Sequence, residues 1–259
     1  MQIQLQMANK IIKYFYCTNY CPLRNLIFFS PRGFNVTIFL EMIDCHAHLG
    51  EFEGEMSEMI NRAKSENVIG AVMVPEYRKN FERNMALAEK YSDFLFPALG
   101  LHPIQGSYGV PEESSACSLE DFEKSRDYIR ENHERIVCVG EAGLDFTPKF
   151  MRKETDKADQ IAALRGQIEL AMEFGLPLNL HSRSASPQLF SLLDEYGYYN
   201  CLFHAYGGKA KKAAFYAKKG CFFSVPNTAA KEGSQMVSYG DNFWTKNKNF
   251  GPKIKGNYF

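Results

Sequence analysis

Five side chains of metal-binding type fall near the ends of short apolar runs: His46 and His48 in Ile43-Asp-Cys-His-Ala-His-Leu49, Glu141 in Val139-Gly-Glu-Ala-Gly-Leu-Asp145, His181 in Leu178-Asn-Leu-His-Ser-Arg183, and His204 in Leu202-Phe-His-Ala-Tyr206. Alternate residues of a strand point the same way, so His46 and His48 can reach one site together while Cys45 and Ala47 face the other side. Imidazole and carboxylate ligands together suit zinc or manganese better than calcium. Two such cations held about 3.5–4 Å apart acidify a bridging water and grip phosphate oxygens, so the set suggests a two-metal hydrolase.

The elements that must position these residues show as an alternation from Met42 onward. Strand-like runs cover 42–49, 68–75, 95–101, 136–146, 176–182, 200–205 and 221–226. Between them, segments near 55–66, 80–91, 119–132, 154–174, 185–197 and 209–219 are charged on one face and apolar on the other. Apolar strands separated by helices imply a parallel α/β sheet covered on its faces. Chemistry at the ends of several strands favours a TIM-like (β/α)8 barrel over an open sheet, whose site gathers at a strand-order reversal. No Gly-x-Gly-x-x-Gly or P-loop follows a strand, which leaves nucleotide-cofactor readings without support. Segments 105–118 and 147–153 read as loops.

Composition sets the background. Hydrophobic residues make up 45% and charged residues 23%, with 30 basic against 30 acidic side chains, so the net charge gives no long-range pull towards nucleic acid. Any phosphate must be attracted locally. The 7 cysteines are odd in number and lack a Cys-x-x-Cys pair, which fits reduced thiols and a cytoplasmic or nuclear setting. Residues 1–41 are basic and aromatic, and read as a disordered extension or a hairpin formed by Leu26–Phe29 and Phe34–Leu40; their shortage of Ser and Arg weakens a mitochondrial reading. No apolar stretch is long enough for a membrane span.

Taken in order, Ile43–Leu49, Gly100-Leu-His-Pro103, Val139–Asp145, Leu180-His-Ser-Arg183 and His204-Ala-Tyr-Gly-Gly208 resemble successive signatures of the TatD family, metal-dependent hydrolases of the amidohydrolase superfamily. The resemblance spans roughly residues 42 to 235. It implies a TIM barrel, two divalent metals (zinc, or manganese or magnesium) and hydrolysis of phosphodiesters, often of DNA. By position, His46 and His48 resemble ligands of a first metal, Glu141 a carboxylate bridging both, and His181 and His204 ligands of the second. His102 resembles a catalytic, substrate-side residue and Arg183 a substrate-binding one. A carboxylate suits a bridge because it offers one oxygen to each metal. Arg183 can fork onto a phosphate oxygen or form an ordinary surface ion pair.

Other polar residues carry plainer readings. Asp44 is expected to point inward and orient a ligand histidine, Asp145 is structural or borders the site, and His133 is solvated after a helix. The resemblance also exposes a departure. Family members end an eighth strand in a Glu-Thr-Asp-Ser-Pro-like motif whose Asp completes the first metal site and takes the proton of the attacking water. Here Pro226 is followed by Asn-Thr-Ala-Ala-Lys-Glu, and residues 236–259 form a divergent tail rich in Gly, Asn and Lys, with Asp241 a poor substitute. The expected barrel is therefore incomplete, with seven strands and the eighth missing, and general-base loss would cost about 10²–10⁴-fold in rate. Three functions remain open: a DNA or small-phosphodiester hydrolase, an amide or lactone hydrolase of the same superfamily, and a catalytically impaired form that binds metal without turnover. Oligomeric state is not readable.

Overall fold

The computed structural model describes residues 26–29, 35–38, 42–50, 52, 54–107 and 110–224. Its main sheet is built from β3 (Met42–Ala47), β4 (Val68–Met73), β5 (Leu95–Leu99), β8 (Cys138–Asp145), β9 (Leu178–Arg183), β10 (Cys201–Phe203) and β11 (Phe222–Phe223). These seven strands run in the order β11-β10-β9-β8-β5-β4-β3, every pair parallel. The helices are α1 (Met56–Ser65), α2 (Phe81–Lys90), α3 (Leu119–Glu131), α4 (Asp156–Phe174), α5 (Ser186–Tyr196) and α6 (Ala210–Ala217). All seven expected strands and all six expected helices are present, most of them a residue or more shorter at each end than their sequence ranges.

Two short antiparallel pairs lie outside this sheet. β1 (Leu26–Phe29) pairs with β2 (Asn35–Ile38) as the sequence hairpin anticipates, and forms its own two-stranded sheet. β6 (Ile104–Ser107) pairs with β7 (Val110–Ala116), so the expected 105–118 loop is in fact a hairpin. Its polar strand residues hid it from hydrophobic patterning. Arg152 fastens it by donating to the carbonyls of Glu112 at 2.9 Å and Ser114 at 2.8 Å.

Helix ends follow local chemistry. Ser118 and Asp121 form a capping box at the start of α3, each side chain accepting the other's backbone N–H. α4 and α5 stop at Gly175 and Gly197, which take the left-handed conformation with φ of 65° and 63°. The largest buried cluster joins β8, β9 and β10 to α4, α5 and α6 through Val139, Leu164, Leu180, Leu189, Phe203 and Tyr216.

The sheet curls into a half-barrel. β3 and β9 are separated by three strands in the sheet, yet Asn179 on β9 hydrogen-bonds across the concave side to the Cys45 carbonyl at 2.9 Å. The His204 ring likewise stacks on His46 at a centroid distance of 3.4 Å. The expected loss of an eighth strand, Asp241 and the divergent tail fall on residues 225–259, outside the described residues.

Candidate metal centre

His46, one residue before the end of β3, lies on the concave side and is 3% exposed, while the His48 side chain at the rim is 40% exposed. Their Nε2 atoms lie 3.1 Å apart, and each is 3.2 Å from Glu141 Oε2. Glu141 is buried in the middle of β8, and its Oε2 accepts no well-aligned hydrogen bond despite these two close nitrogens. The amide of Asn179 explains why His46 does not donate to that oxygen. Its Nδ2 donates to the Cys45 carbonyl, so its Oδ1 faces His46 Nδ1 at 2.9 Å, which places the ring hydrogen on Nδ1 and a lone pair on Nε2. The His46 lone pair and the Glu141 oxygen therefore converge on a point that His48 Nε2 also faces. Ligand atoms around a tetrahedral zinc, with bonds of about 2.0–2.1 Å, lie about 3.3–3.4 Å apart, close to the edges of this triangle.

A second triad uses the other oxygen of the same carboxylate. Glu141 Oε1 is 2.8 Å from His181 Nδ1 and 3.8 Å from His102 Nε2, and those two nitrogens are 3.3 Å apart. Behind His181, Nε2 lies 3.2 Å from Asp145 Oδ2. His102 Nδ1 sits within hydrogen-bond distance of the Ile104 backbone, which leaves Nε2 facing the triad. These two triads, His46/His48/Glu141 and His102/Glu141/His181, are the metal-compatible groups among the described residues.

Burial and ion pairing compete throughout the site. Burial alone would raise the Glu141 carboxyl, but the imidazoles of His46, His102 and His181 hold it well below its usual range. Burial depresses His102 to about 4. His181 is also desolvated, yet the carboxylates of Asp145 and Glu141 outweigh this and raise it to about 9. Asp145 resists burial in turn and falls to about 2 through hydrogen bonds from His181 and Thr147.

The remaining sequence candidates are placed as follows. His204 lies on the concave side against the His46 ring, with 7° between the planes. Arg183, the register neighbour of Asp145, leaves its side chain 64% exposed at the rim, with Nη1 3.9 Å from Asp145 Oδ2. Asp44 accepts the backbone N–H of His46 at 3.0 Å, so it shapes the strand end and does not orient the ring; burial raises its carboxyl to about 6. His133 is not simply solvated: it stacks on Phe174 at 4.0 Å and hydrogen-bonds the Arg130 carbonyl.

Three buried amides that brace the site escaped sequence reasoning. Asn179 sits two residues before His181 on the same strand face, a spacing that could have revealed it. Gln160 and Gln167, seven residues apart on the buried side of α4, each pair both amide atoms with a backbone, at Asp145 and Leu101 respectively. They fix the main chain beside His102 and at the carboxylate that holds His181.

The comparisons with known proteins agree with this architecture. Residues 43–239 match the family described as TatD related DNase. The chain is 36% identical over 197 residues to human "Deoxyribonuclease TATDN3", covering 75% of this chain and 71% of that protein. It is 32% identical over 182 residues to the Bacillus subtilis "Uncharacterized metal-dependent hydrolase YabD", covering 66% and 63%. The crystal structure of the Escherichia coli TatD homolog YJJV superposes with a TM-score of 0.61 at 27% identity, covering 77% of this chain and 74% of that one. No described helix is long and apolar enough to cross a membrane. With its half-barrel, its triads and these relatives in agreement, the chain belongs to the TatD related DNase family of metal-dependent hydrolases.

Proposed function

We propose that the chain binds two divalent cations, zinc by preference, and hydrolyses phosphodiester bonds in DNA. The observation that carries this reading is the convergence of His46 Nε2 and His48 Nε2 on a buried Glu141 Oε2 that has no aligned donor. Glu141 is suited to bridge because its two oxygens belong to different triads. The third ligand of the second cation is His102 by the geometry of the triad, or His204 by family resemblance. Bound there, divalent cations would supply Lewis acidity and an acidified water.

The chain's own residues do the rest. Asp145 holds the ring hydrogen of His181 on Nε2, so that Nδ1 faces Glu141. Arg183 extends from the rim, where its guanidinium can fork onto a non-bridging phosphate oxygen. Glu141, His46 and His102 are themselves buried, which strengthens the electrostatic interactions among them.

Metal content of the full chain, measured beside cleavage of single-stranded DNA, a small phosphodiester and a lactone, tests the reading. Two zinc ions per chain with DNA cleavage support it. Failure to bind zinc overturns it, turnover of the lactone alone assigns the amide or lactone hydrolase, and bound metal without any turnover assigns the impaired form. Metal content of His102→Ala and His204→Ala identifies the third ligand of the second site.

A further inference from the structure

We propose that Asn179 is a positioning residue that fixes the tautomer of His46, holding its Nε2 lone pair towards His48 and Glu141. The assignment rests on the metal-binding reading above for its purpose, but not for its geometry. Asn179 is 3% exposed, so its amide must find its partners inside the protein. Carbonyl oxygens only accept, and therefore the Cys45 carbonyl, at 2.9 Å, demands the NH2 end of the amide. The oxygen end is then the atom facing His46 Nδ1, also at 2.9 Å, and it demands a hydrogen there. One backbone carbonyl thus sets the amide orientation, and the amide sets the ring.

The surroundings keep this relay in place. A Cβ on Gly140 would lie 2.6 Å from the Asn179 Cβ and 2.7 Å from its carbonyl oxygen, so β9 reaches this depth only because residue 140 is glycine. Asp145 performs the matching task for His181. The two triads thereby differ in kind: a neutral amide holds the first histidine and a carboxylate the second. A carboxylate behind a ligand histidine makes the ring a stronger donor, whereas an amide orients it with less added charge.

The test uses the full chain with its histidines labelled with nitrogen-15. In metal-free protein, above the pH at which the rings are charged, long-range proton–nitrogen NMR should show His46 with its hydrogen on Nδ1, the signal being identified by its loss in His46→Gln. A wild-type ring carrying the hydrogen on Nε2 overturns the proposal without any variant at residue 179. Asn179→Leu should release the ring to the Nε2–H form and weaken zinc binding at the first triad about 10–100-fold. Asn179→Asp keeps an acceptor oxygen and should restore the Nδ1–H form with most of the affinity. An unchanged tautomer in Asn179→Leu, or equal zinc loss in both variants, reduces Asn179 to a packing role and overturns the proposal. If the wild type shows the Nδ1–H form yet binds no zinc, the positioning assignment stands and the metal-hydrolase reading fails.

Discussion

Gly143→Ala should be among the most damaging single-methyl additions in the protein, and its cost can be worked from two distances and an angle. Gly143 is the register neighbour of His181, and an added Cβ would lie 2.0 Å from the His181 carbonyl oxygen and 2.8 Å from its carbonyl carbon. A carbon–oxygen contact rests at about 3.3–3.6 Å, so the obstacle is backbone and β9 must give way by more than about 1 Å. Forcing such a shift in a packed region costs about 1–3 kcal/mol. The φ of 153° adds strain for any residue bearing a Cβ, at about 1–3 kcal/mol. Together these predict about 2–6 kcal/mol, or a melting temperature lower by about 5–20 °C. Gly175→Ala is the control: its φ is 65° but nothing lies within 4 Å of the added methyl, so it should cost only about 1–2 kcal/mol. Urea unfolding of both variants, without metal, gives the comparison. Equal destabilisation would refute the claim that close approach of β8 and β9 at residue 143 limits the structure.

Glu141→Gln should lower zinc affinity at both triads at once, because its two oxygens serve different histidine pairs; loss of only one ion by mass spectrometry would contradict the shared carboxylate. Arg183→Ala should raise KM for DNA while leaving metal content unchanged, as the side chain is 64% exposed at the rim. Asn84 is 0% exposed and neither amide atom has a hydrogen-bond partner among the described residues; Asn84→Leu should therefore stabilise the protein, by about 1–3 kcal/mol in urea unfolding. Asp194 accepts from Lys219, Tyr216 and Tyr199, and its carboxyl falls from 3.8 to about 2. Because the folded value lies below the unfolded one, its contribution is present above about pH 4 and fades as pH falls towards 2. The difference in urea midpoint between wild type and Asp194→Asn should close over that interval, remaining small throughout because the pair is solvated.

The parallel strands were legible because burial on both faces leaves an unbroken apolar run, as in Cys201–Phe203, where all the residues are buried. His46 and His48 were legible as a pair because strand alternation is local. What brings Glu141 between them is not local: it depends on how far the sheet curls, which no spacing in the sequence encodes. The β6–β7 hairpin was missed for a related reason, since Glu112, Glu113, Ser114 and Ser115 carry no apolar alternation and the hairpin is tied down by Arg152 from a distant segment. Asn179, Gln160 and Gln167 belong to the same class. A buried amide is recognisable only once its partner is known, and the partners of Asn179 lie 133 and 134 residues away.

β9 carries Asn179, His181 and Arg183 at alternate positions, so one strand serves the first triad through His46, the second directly, and the rim. A slip of a single residue against β8 would turn all three to the opposite face together. The second triad therefore depends directly on the β8–β9 register, whereas the first takes its ligand atoms from β8 and the end of β3 and meets β9 only through Asn179. Both triads rest on contacts between segments far apart in sequence, because β8 must pair with β9 and β3 must close over Asn179 before the set is complete.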